Sequence, residues 1–189
     1  MAEAGSLENC YTGNGIVGSN PTLSAIDIRP AIPADFEALW PIFQAVVATG
    51  TTYFFAPETS QENARAYWFA PSVSSFVAEE HGRIVGMYKI VANHRDLGSH
   101  VANASFMVDP AASGRGVGRA MGVHCLREAR RMGFLAMQFN FVVSTNEGAV
   151  ALWKKLGFEI VGTLPKVFRH RERGLVDAYV MHRFLDDVP

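Results

Sequence analysis

The most informative segment of this sequence is Val108-Asp-Pro-Ala-Ala-Ser-Gly-Arg-Gly-Val-Gly-Arg-Ala120. An apolar run that begins at Val101 leads into it, and apolar residues at spacings of four, four, four and three follow it to Met132. This pattern predicts a strand, a glycine-rich turn and an amphipathic helix, in that order. The first N–H groups of a helix lack intrahelical partners and lie at the positive end of its dipole. The stretch therefore predicts a phosphate-binding site.

The glycines at 114, 116 and 118 leave the backbone of this turn open to a phosphate. A nucleoside-triphosphate P-loop needs Gly-Lys-Ser or Gly-Lys-Thr at the helix start, whereas this chain has Gly-Arg-Ala at 118–120. The dinucleotide fingerprint Gly-x-Gly-x-x-Gly is not matched either, and the residue about twenty positions on is Gln138 rather than an acid. Neither of these two phosphate sites is predicted.

The turn resembles the acetyl-CoA loop of the GCN5-related N-acetyltransferases (GNATs), whose pattern is Arg/Gln-x-x-Gly-x-Gly/Ala. Two glycines match the small positions, and Ser113 stands where Arg or Gln is usual, so one long side chain beside the pyrophosphate is missing. The resemblance implies acetyl-CoA as acyl donor, with either arginine of the turn as a partner for its phosphates. The implied donor-binding residues are Phe106, Met107, Val108, Ser113, Gly114, Arg115, Gly116, Val117, Gly118, Arg119, Asn146 and Trp153.

A second stretch, Asn146-Glu-Gly-Ala-Val-Ala-Leu-Trp-Lys-Lys-Leu-Gly-Phe158, matches the family's Asn-x-x-Ala-x-x-x-Tyr-x-x-x-Gly-Phe. Trp153 replaces the tyrosine of that pattern. The residues themselves predict a short helix that is capped by Ser144 and stopped by Gly157. Two motifs in this order, with strands between them, are far more specific than either motif alone.

The chain as a whole predicts one α/β domain over residues 26–189, with strands, helix, strand, helix and strands in succession. The resemblance implies the GNAT fold, a central mixed and mostly antiparallel sheet of about seven strands, splayed in the middle, with helices on both faces. The predicted strands are 26–29, 75–80, 84–92, 101–108, 135–142, 158–163 and 175–184; the predicted helices are one around 36–47, one capped by Thr59, 115–132 and 146–156.

Residues 1–25 are rich in Gly, Asn, Ser and Thr without periodicity, which predicts a disordered tail. Two origins stay open for it. One is an ordinary flexible tail. The other is a translation start near Ala25, since Gly18-Ser-Asn-Pro21 can be encoded by a sequence that resembles the T-arm of a tRNA gene. Mass spectrometry of the native N-terminus decides, because a peptide covering residues 2–20 excludes the later start.

Composition excludes several classes of function. The chain has 189 residues, of which 49% are hydrophobic, and a formal net charge of −1, which argues against nucleic acid as the main partner. Cys10 and Cys125 stand far apart and the six histidines show no ligand spacing, so reduced thiols, a cytoplasmic location and no metal are expected. No apolar run approaches the length of a membrane span, so no membrane association is predicted.

Polar amides in two apolar strands are the candidate chemistry. Asn103 lies in the first strand, and Gln138 and Asn140 share one face of the next, with Phe139 and Phe141 on the other face. Buried amides need partners, because an unpaired one costs about 1–3 kcal/mol. Two interpretations stay open: the amides bond to backbone where the sheet splays, or they face an acceptor beside the acetyl-CoA cleft.

A nearer resemblance favours the second interpretation. Residues 99–106, 139–141 and 143–146 are similar to segments of the azetidine-2-carboxylate N-acetyltransferases, which act on a small cyclic imino acid. The resemblance implies Asn103, Asn140 and Asn146 as the catalytic residues, and a pantetheine arm that bonds to the backbone near Phe106. It covers roughly residues 75–185 and does not by itself carry over the substrate.

The implied reaction is direct transfer of an acetyl group to the neutral amine of a small amino- or imino-acid-like molecule in a ternary complex. Trp153 cannot serve as the general acid, because indole N–H does not usefully dissociate. Glu79, Tyr88 and His100 are the candidates for a base that acts through water. Two alternative functions stay open: a protein or peptide N-acetyltransferase, and a non-catalytic acyl-CoA-binding sensor. For the assembly, the homodimer that is common in the family also stays open.

Two further segments have two interpretations each. The aromatic residues at 53–55 either pack in the core, which is favoured, or border a substrate pocket. The charged segment 169–173 is read as a loop between the last two strands, either solvated or at the pocket mouth.

Overall fold

The structure is a computed structural model that describes residues 26–189, so the predicted tail and the question of its origin lie outside the described residues. Seven strands form one sheet in the order β1-β2-β3-β4-β5-β7-β6. The elements are β1 Asp27–Pro30, α1 Phe36–Ala48, α2 Gln61–Phe69, β2 Ser74–Glu80, β3 Arg83–Ala92, β4 Val101–Val108, α3 Val117–Arg131, β5 Ala136–Val143, α4 Glu147–Lys155, β6 Glu159–His170 and β7 Gly174–Phe184.

The sheet splits between its two central strands. β4 and β5 run parallel and pair only at Val101 with Ala136 and at Ala102 with Met137. Beyond that point β4 stays paired with β3 as far as Val108, whereas β5 continues beside β7. All other neighbouring strands are antiparallel. The predicted mixed and mostly antiparallel sheet, splayed in the middle, is confirmed.

Helices cover both faces of this sheet, as predicted. Strand alternation sends successive side chains of β3 and β4 into two separate cores. We call the side covered by α3 and α4 the α3 face, where Tyr88 and Ala104 pack against Met121. The opposite side, covered by α1 and α2, is the α1 face, where Met87 and Met107 are buried with these helices.

β2 and β3, which lie at the strands predicted over 75–80 and 84–92, pair antiparallel as a hairpin. His81 and Gly82 form its two-residue turn, with φ of 52° and 74°. Positive φ at both central residues is the turn geometry whose twist matches that of paired strands.

Two predicted helix caps are wrong. Ser60, not Thr59, caps α2, and its Oγ accepts a hydrogen bond from the N–H three residues on at 3.2 Å. Asn146, not Ser144, caps α4, and its Oδ1 accepts from the N–H three residues on at 3.3 Å. The backbone N–H of Ser144 instead donates to the Asp177 carbonyl at 2.9 Å, which extends the β5–β7 pairing by one residue before the helix begins.

Strand β6 is twice as long as predicted. It runs to His170, through a register shift between Leu164 and Phe168 that includes Lys166 at φ 55°. Because the bulge interrupts the alternation near a proline, the sequence pattern ends early. Residues 169 and 170 therefore belong to the strand, and the predicted charged loop is a turn of residues 171–173.

Candidate active site

A cavity of about 390 Å³ occupies the split between β4 and β5. Four consecutive residues of β4, from Asn103 to Phe106, line it. Since successive side chains of a strand point to opposite faces, the cavity opens on both faces of the sheet. The remaining lining residues are Thr52, Tyr53, Phe54, Tyr67, Lys89, Val91, Phe139, Asn140, Phe141, Val142, Val143, Asn146, Ala149 and Trp153.

On the α3 face the cavity wall is aromatic. The ring centroid of Trp153 lies 4.7 Å from that of Phe106 and 4.8 Å from that of Phe139. Trp153 is only 7% exposed, so most of its surface packs in the core. At the position where the family pattern has tyrosine, this chain thus presents an apolar wall rather than a hydroxyl.

The glycine-rich turn lies on the same face, after the end of β4. Gly114 and Gly116 have φ of 78° and 86°, in the left-handed region. A Cβ added at either glycine would meet nothing within 4 Å, so the backbone is open to a ligand. Gly116 is also the N-cap of the 15-residue helix α3. An open turn at a helix N-terminus fits the phosphates of acetyl-CoA.

The predicted donor-binding residues differ in whether their side chains are exposed and able to contact a ligand. The side chains of Met107 and Val117 are buried, at 2% and 1% exposure, so these residues can contact a ligand only through their backbone. Arg115 is paired with Glu80, whereas Arg119 is exposed and has no ion-pair partner among the described residues. Of the two arginines, Arg119 is the one available to a phosphate.

On the α1 face the cavity wall is polar. The register pairs Lys89 of β3 with Ser105 of β4, and Val91 with Asn103, so all four side chains point to this face. The Ser105 hydroxyl forms a 2.7 Å hydrogen bond with the hydroxyl of Tyr67. These contacts hold the α2 helix against the strand that forms the edge of the split.

The Tyr53 hydroxyl donates a 3.0 Å hydrogen bond to the backbone carbonyl of Phe106. Burial raises the pKa of Tyr53 well above 10, and it also raises the pKa of Tyr67. Both phenols therefore stay protonated at neutral pH, and their hydroxyl oxygens can accept hydrogen bonds from a ligand in the cavity.

All three predicted asparagines line the cavity, although each comes from a different element. Asn103 lies on β4, Asn140 on β5 and Asn146 at the start of α4. Within the described residues the Asn103 amide makes no hydrogen bond, so both its donor and its acceptor can meet a ligand. Asn146 uses its oxygen to cap α4, and its amide N–H groups have no acceptor in the part of the chain that the structure describes.

Asn140 belongs to a chain of amides. The Gln138 side chain donates to the Asn140 oxygen at 2.8 Å, and the Asn140 nitrogen donates to the Asn93 oxygen at 2.6 Å. The interpretation in which these amides bond to backbone is wrong, because their partners are other side chains. These amide hydrogen bonds connect β5 to the end of β3 across the split.

Phe139 and Phe141 do not share a face, which corrects the predicted alternation. Phe139 packs on Trp153 at the α3 face, whereas the Phe141 ring lies 6.3 Å from that of Phe54. The reason is an irregularity of the β5–β7 pairing between Phe139 and Val142. It turns the following side chains and brings Phe141 to the cavity wall.

None of the three candidate bases lines the cavity. Glu79 is paired with Arg29 at 2.5 Å, and the Tyr88 hydroxyl is hydrogen-bonded to His124 at 2.6 Å in the α3-face core. His100 precedes β4 at the end where β4 and β5 are still paired. Any base in this cavity must therefore be water or another group.

Sequence reasoning missed Tyr67 and Lys89. A lysine in the apolar run of β3 was the available signal, because alternation places it inward beside Met87. Lys89 is 7% exposed, and burial lowers its pKa to about 8. The aromatic segment 53–55, for which core packing was favoured, is divided, since Tyr53 and Phe54 line the cavity and Phe55 packs in the α1-face core.

Within residues 26–189, no group of three metal-ligating side chains is close enough to hold an ion. None of the helices in this part of the chain has the length and apolar character needed to cross a membrane.

When the chain is compared with known protein families, its residues 36–158 match the Acetyltransferase (GNAT) family. Among curated relatives, L-amino acid N-acetyltransferase AaaT of Escherichia coli is 32% identical over 85% of this chain and 99% of its own length. N-acetyltransferase aca1 of Schizosaccharomyces pombe is 31% identical over 59% of this chain. The chain spans about half the length of two curated relatives, 54% of aca1 and 47% of a mycothiol acetyltransferase of Saccharomonospora viridis.

Solved structures agree with this comparison. A GCN5-related N-acetyltransferase from Kribbella flavida is 44% identical, with a TM-score of 0.81 over 85% of this chain and 98% of its own. YncA of Salmonella typhimurium, solved with its cofactor acetyl-CoA, is 28% identical, with a TM-score of 0.75 over 86% of this chain and 95% of its own.

Proposed function

The chain belongs to the Acetyltransferase (GNAT) family, and we propose that it transfers an acetyl group from acetyl-CoA to the amine of a small amino- or imino-acid-like molecule. The observation that carries this proposal is the cavity in the split between β4 and β5. It joins a face with an open anion-binding turn to a face lined by amides and phenols. Two substrates can thus approach each other from opposite sides of the sheet.

The donor side is built mainly from backbone. The open turn at Gly114 and Gly116 binds phosphates at the start of α3. Arg119, at the same helix start, adds a positive side chain. Beyond Ala102 the edge of β4 that faces β5 has no ladder partner, so its N–H and C=O groups can bond to an extended pantetheine arm.

The acceptor side uses side chains. The Asn103 amide lines the cavity at the split and has no hydrogen-bond partner among the described residues. There it can donate to the oxygen on which charge develops during attack on the thioester. The phenols of Tyr53 and Tyr67 stay protonated and orient the acceptor. No carboxylate or histidine of the described part of the chain lines the cavity, so the acceptor's proton passes to water.

Four observations support a small acceptor. The cavity has a volume of only about 390 Å³. Tyr53 and Phe54 form its wall on the α1 face, and AaaT is named as an enzyme that acts on L-amino acids. The three asparagines on which the azetidine-2-carboxylate resemblance rests all line this cavity, which makes cyclic imino acids the first acceptors to test.

The experiment is thiol release from acetyl-CoA across a panel of amino acids, imino acids, polyamines and short peptides. We expect turnover with amino or imino acids and little with polyamines or peptides. Turnover confined to peptides would overturn the proposed acceptor class.

A second candidate is a non-catalytic acyl-CoA-binding sensor. The observation that favours it is Trp153, which packs between two phenylalanines where the family pattern has a tyrosine. Binding of acetyl-CoA without turnover on any amine of the panel would select this candidate and overturn the proposed reaction.

A further inference from the structure

We propose that Lys89 binds the carboxylate of the acceptor and so makes the site selective for amino and imino acids over neutral amines. This inference rests on the proposed function and names the feature of the substrate that the acceptor side recognises.

The position of Lys89 is the first support. Its side chain lines the cavity on the α1 face and is 7% exposed, so it lies inside the protein rather than at the rim. It is the cross-strand partner of Ser105, and Asn103 lies two residues further along β4 on the same face. A carboxylate held by Lys89 therefore lies beside the residues that border the site of transfer.

The incomplete set of partners around its ammonium is the second support. The Lys89 Nζ donates to the Tyr67 backbone carbonyl at 2.8 Å and lies 3.1 Å from the centroid of the Tyr67 ring. The ammonium has three N–H donors, and only the one that bonds to the Tyr67 carbonyl has an acceptor among the described residues. No salt bridge to Lys89 is formed in this part of the chain.

The charge of the cavity wall is the third support. Among residues 26–189, the lining includes no Asp, Glu, Arg or His, so Lys89 is the one lining group of this range that is charged at neutral pH. A buried cation without a counter-ion is unfavourable, and burial accordingly lowers its pKa to about 8. The other ionisable groups that face the cavity, Tyr53 and Tyr67, stay neutral there. A bound carboxylate supplies the missing partner.

Amino and imino acids carry their carboxylate one carbon from the amine that must be acetylated. Holding the carboxylate at Lys89 thus fixes the amine as well, which an amine without this group cannot achieve. The ammonium positions the acceptor and takes no part in the transfer of the acetyl group.

The test compares acids with their amides: L-proline with L-prolinamide and L-methionine with L-methioninamide. Charge-assisted hydrogen bonds contribute about 1.5–3 kcal/mol, which corresponds to about a tenfold to hundredfold change in binding. Wild type should favour each acid over its amide by that factor in kcat/KM. Lys89→Met should raise KM for the acids by the same factor, change kcat less than twofold, and leave KM for the amides and for acetyl-CoA unchanged.

Two matched variants sharpen the comparison. Lys89→Arg keeps the charge and should retain most of the preference for acids. Lys155→Met removes an exposed lysine at the end of α4 and should change neither preference nor KM. Should Lys89→Met not fold, calorimetry on wild type decides, with tighter binding expected for N-acetyl-L-proline than for its amide.

Each contrary result has its own meaning. Equal turnover of acids and amides by wild type, or equal loss on both in Lys89→Met, overturns the role of Lys89 and leaves the acetyltransferase proposal standing. The absence of turnover on every amine overturns both proposals.

Discussion

The two faces of the sheet build their halves of the cavity in different ways. On the α3 face, the donor side consists of open backbone at Gly114 and Gly116, an unpaired strand edge and a helix N-terminus. On the α1 face, the acceptor side consists of side chains from β3, β4 and α2, with hydroxyls and a buried ammonium. Backbone recognition suits a donor common to a whole family, and side-chain recognition suits an acceptor that differs between its members.

The largest effect is expected from Asn103→Ala. Removal of a preorganised donor to a developing oxyanion lowers kcat about a hundredfold or more. Initial rates with acetyl-CoA and a saturating acceptor measure it, and KM for acetyl-CoA should not change. Gln138→Ala, which removes a β5 amide that does not line the cavity, is the control. A kcat that stays within twofold of wild type would remove Asn103 from the mechanism.

Gly116→Ala tests the donor side alone. Its φ of 86° makes a non-glycine residue cost about 1–2 kcal/mol, so the turn should shift and KM for acetyl-CoA should rise about tenfold. KM for the acceptor should stay unchanged.

Gly133→Ala is the matched control. Gly133 has φ of 89°, an equally open Cβ position, and lies just after the other end of α3. Urea unfolding should show a similar loss of stability in both variants, but only Gly116→Ala should weaken the binding of acetyl-CoA. Equal kinetic effects of the two would mean that the turn does not bind the donor.

The acceptor side should also have a stability signature that depends on pH. Lys89 has a pKa of about 8 in the folded chain against an ordinary 10.5, so between these values the unfolded chain binds more protons. Stability of wild type relative to Lys89→Met should therefore rise with pH, by about 1 kcal/mol from pH 7 to pH 9. Urea unfolding at the two pH values measures this difference. A difference that falls with pH would contradict the burial of the ammonium.

The smallest effect is expected from Arg119→Ala. An exposed arginine near phosphates contributes little binding energy, and salt screens that contribution. The KM for acetyl-CoA should therefore rise about threefold at low salt and less at high salt. Arg115→Ala, which removes a side chain already paired with Glu80, should change KM less. The reverse order would assign the phosphate contact to Arg115.

The contrast between the faces also explains what sequence could predict. The glycine turn and the α4 motif are each contiguous in the sequence, and local residue patterns determine their structure. The fold and the open glycine turn could therefore be predicted. The acceptor side is assembled from residues far apart, such as Tyr67 and Ser105, which only the register of β3 and β4 brings together. The bulge near Asn140 and the full length of β6 could not be predicted, because the alternation of side chains is interrupted where the strand pairing is irregular.

In the proposed reaction, donor and acceptor meet directly through the split between β4 and β5. The most direct measurement follows an isotope-labelled acetyl group from acetyl-CoA by mass spectrometry during turnover of an amino or imino acid. Direct transfer predicts that the label is recovered on the acceptor nitrogen, with none on the protein at any time. Label attached to a side chain of the enzyme before it reaches the acceptor would contradict direct transfer.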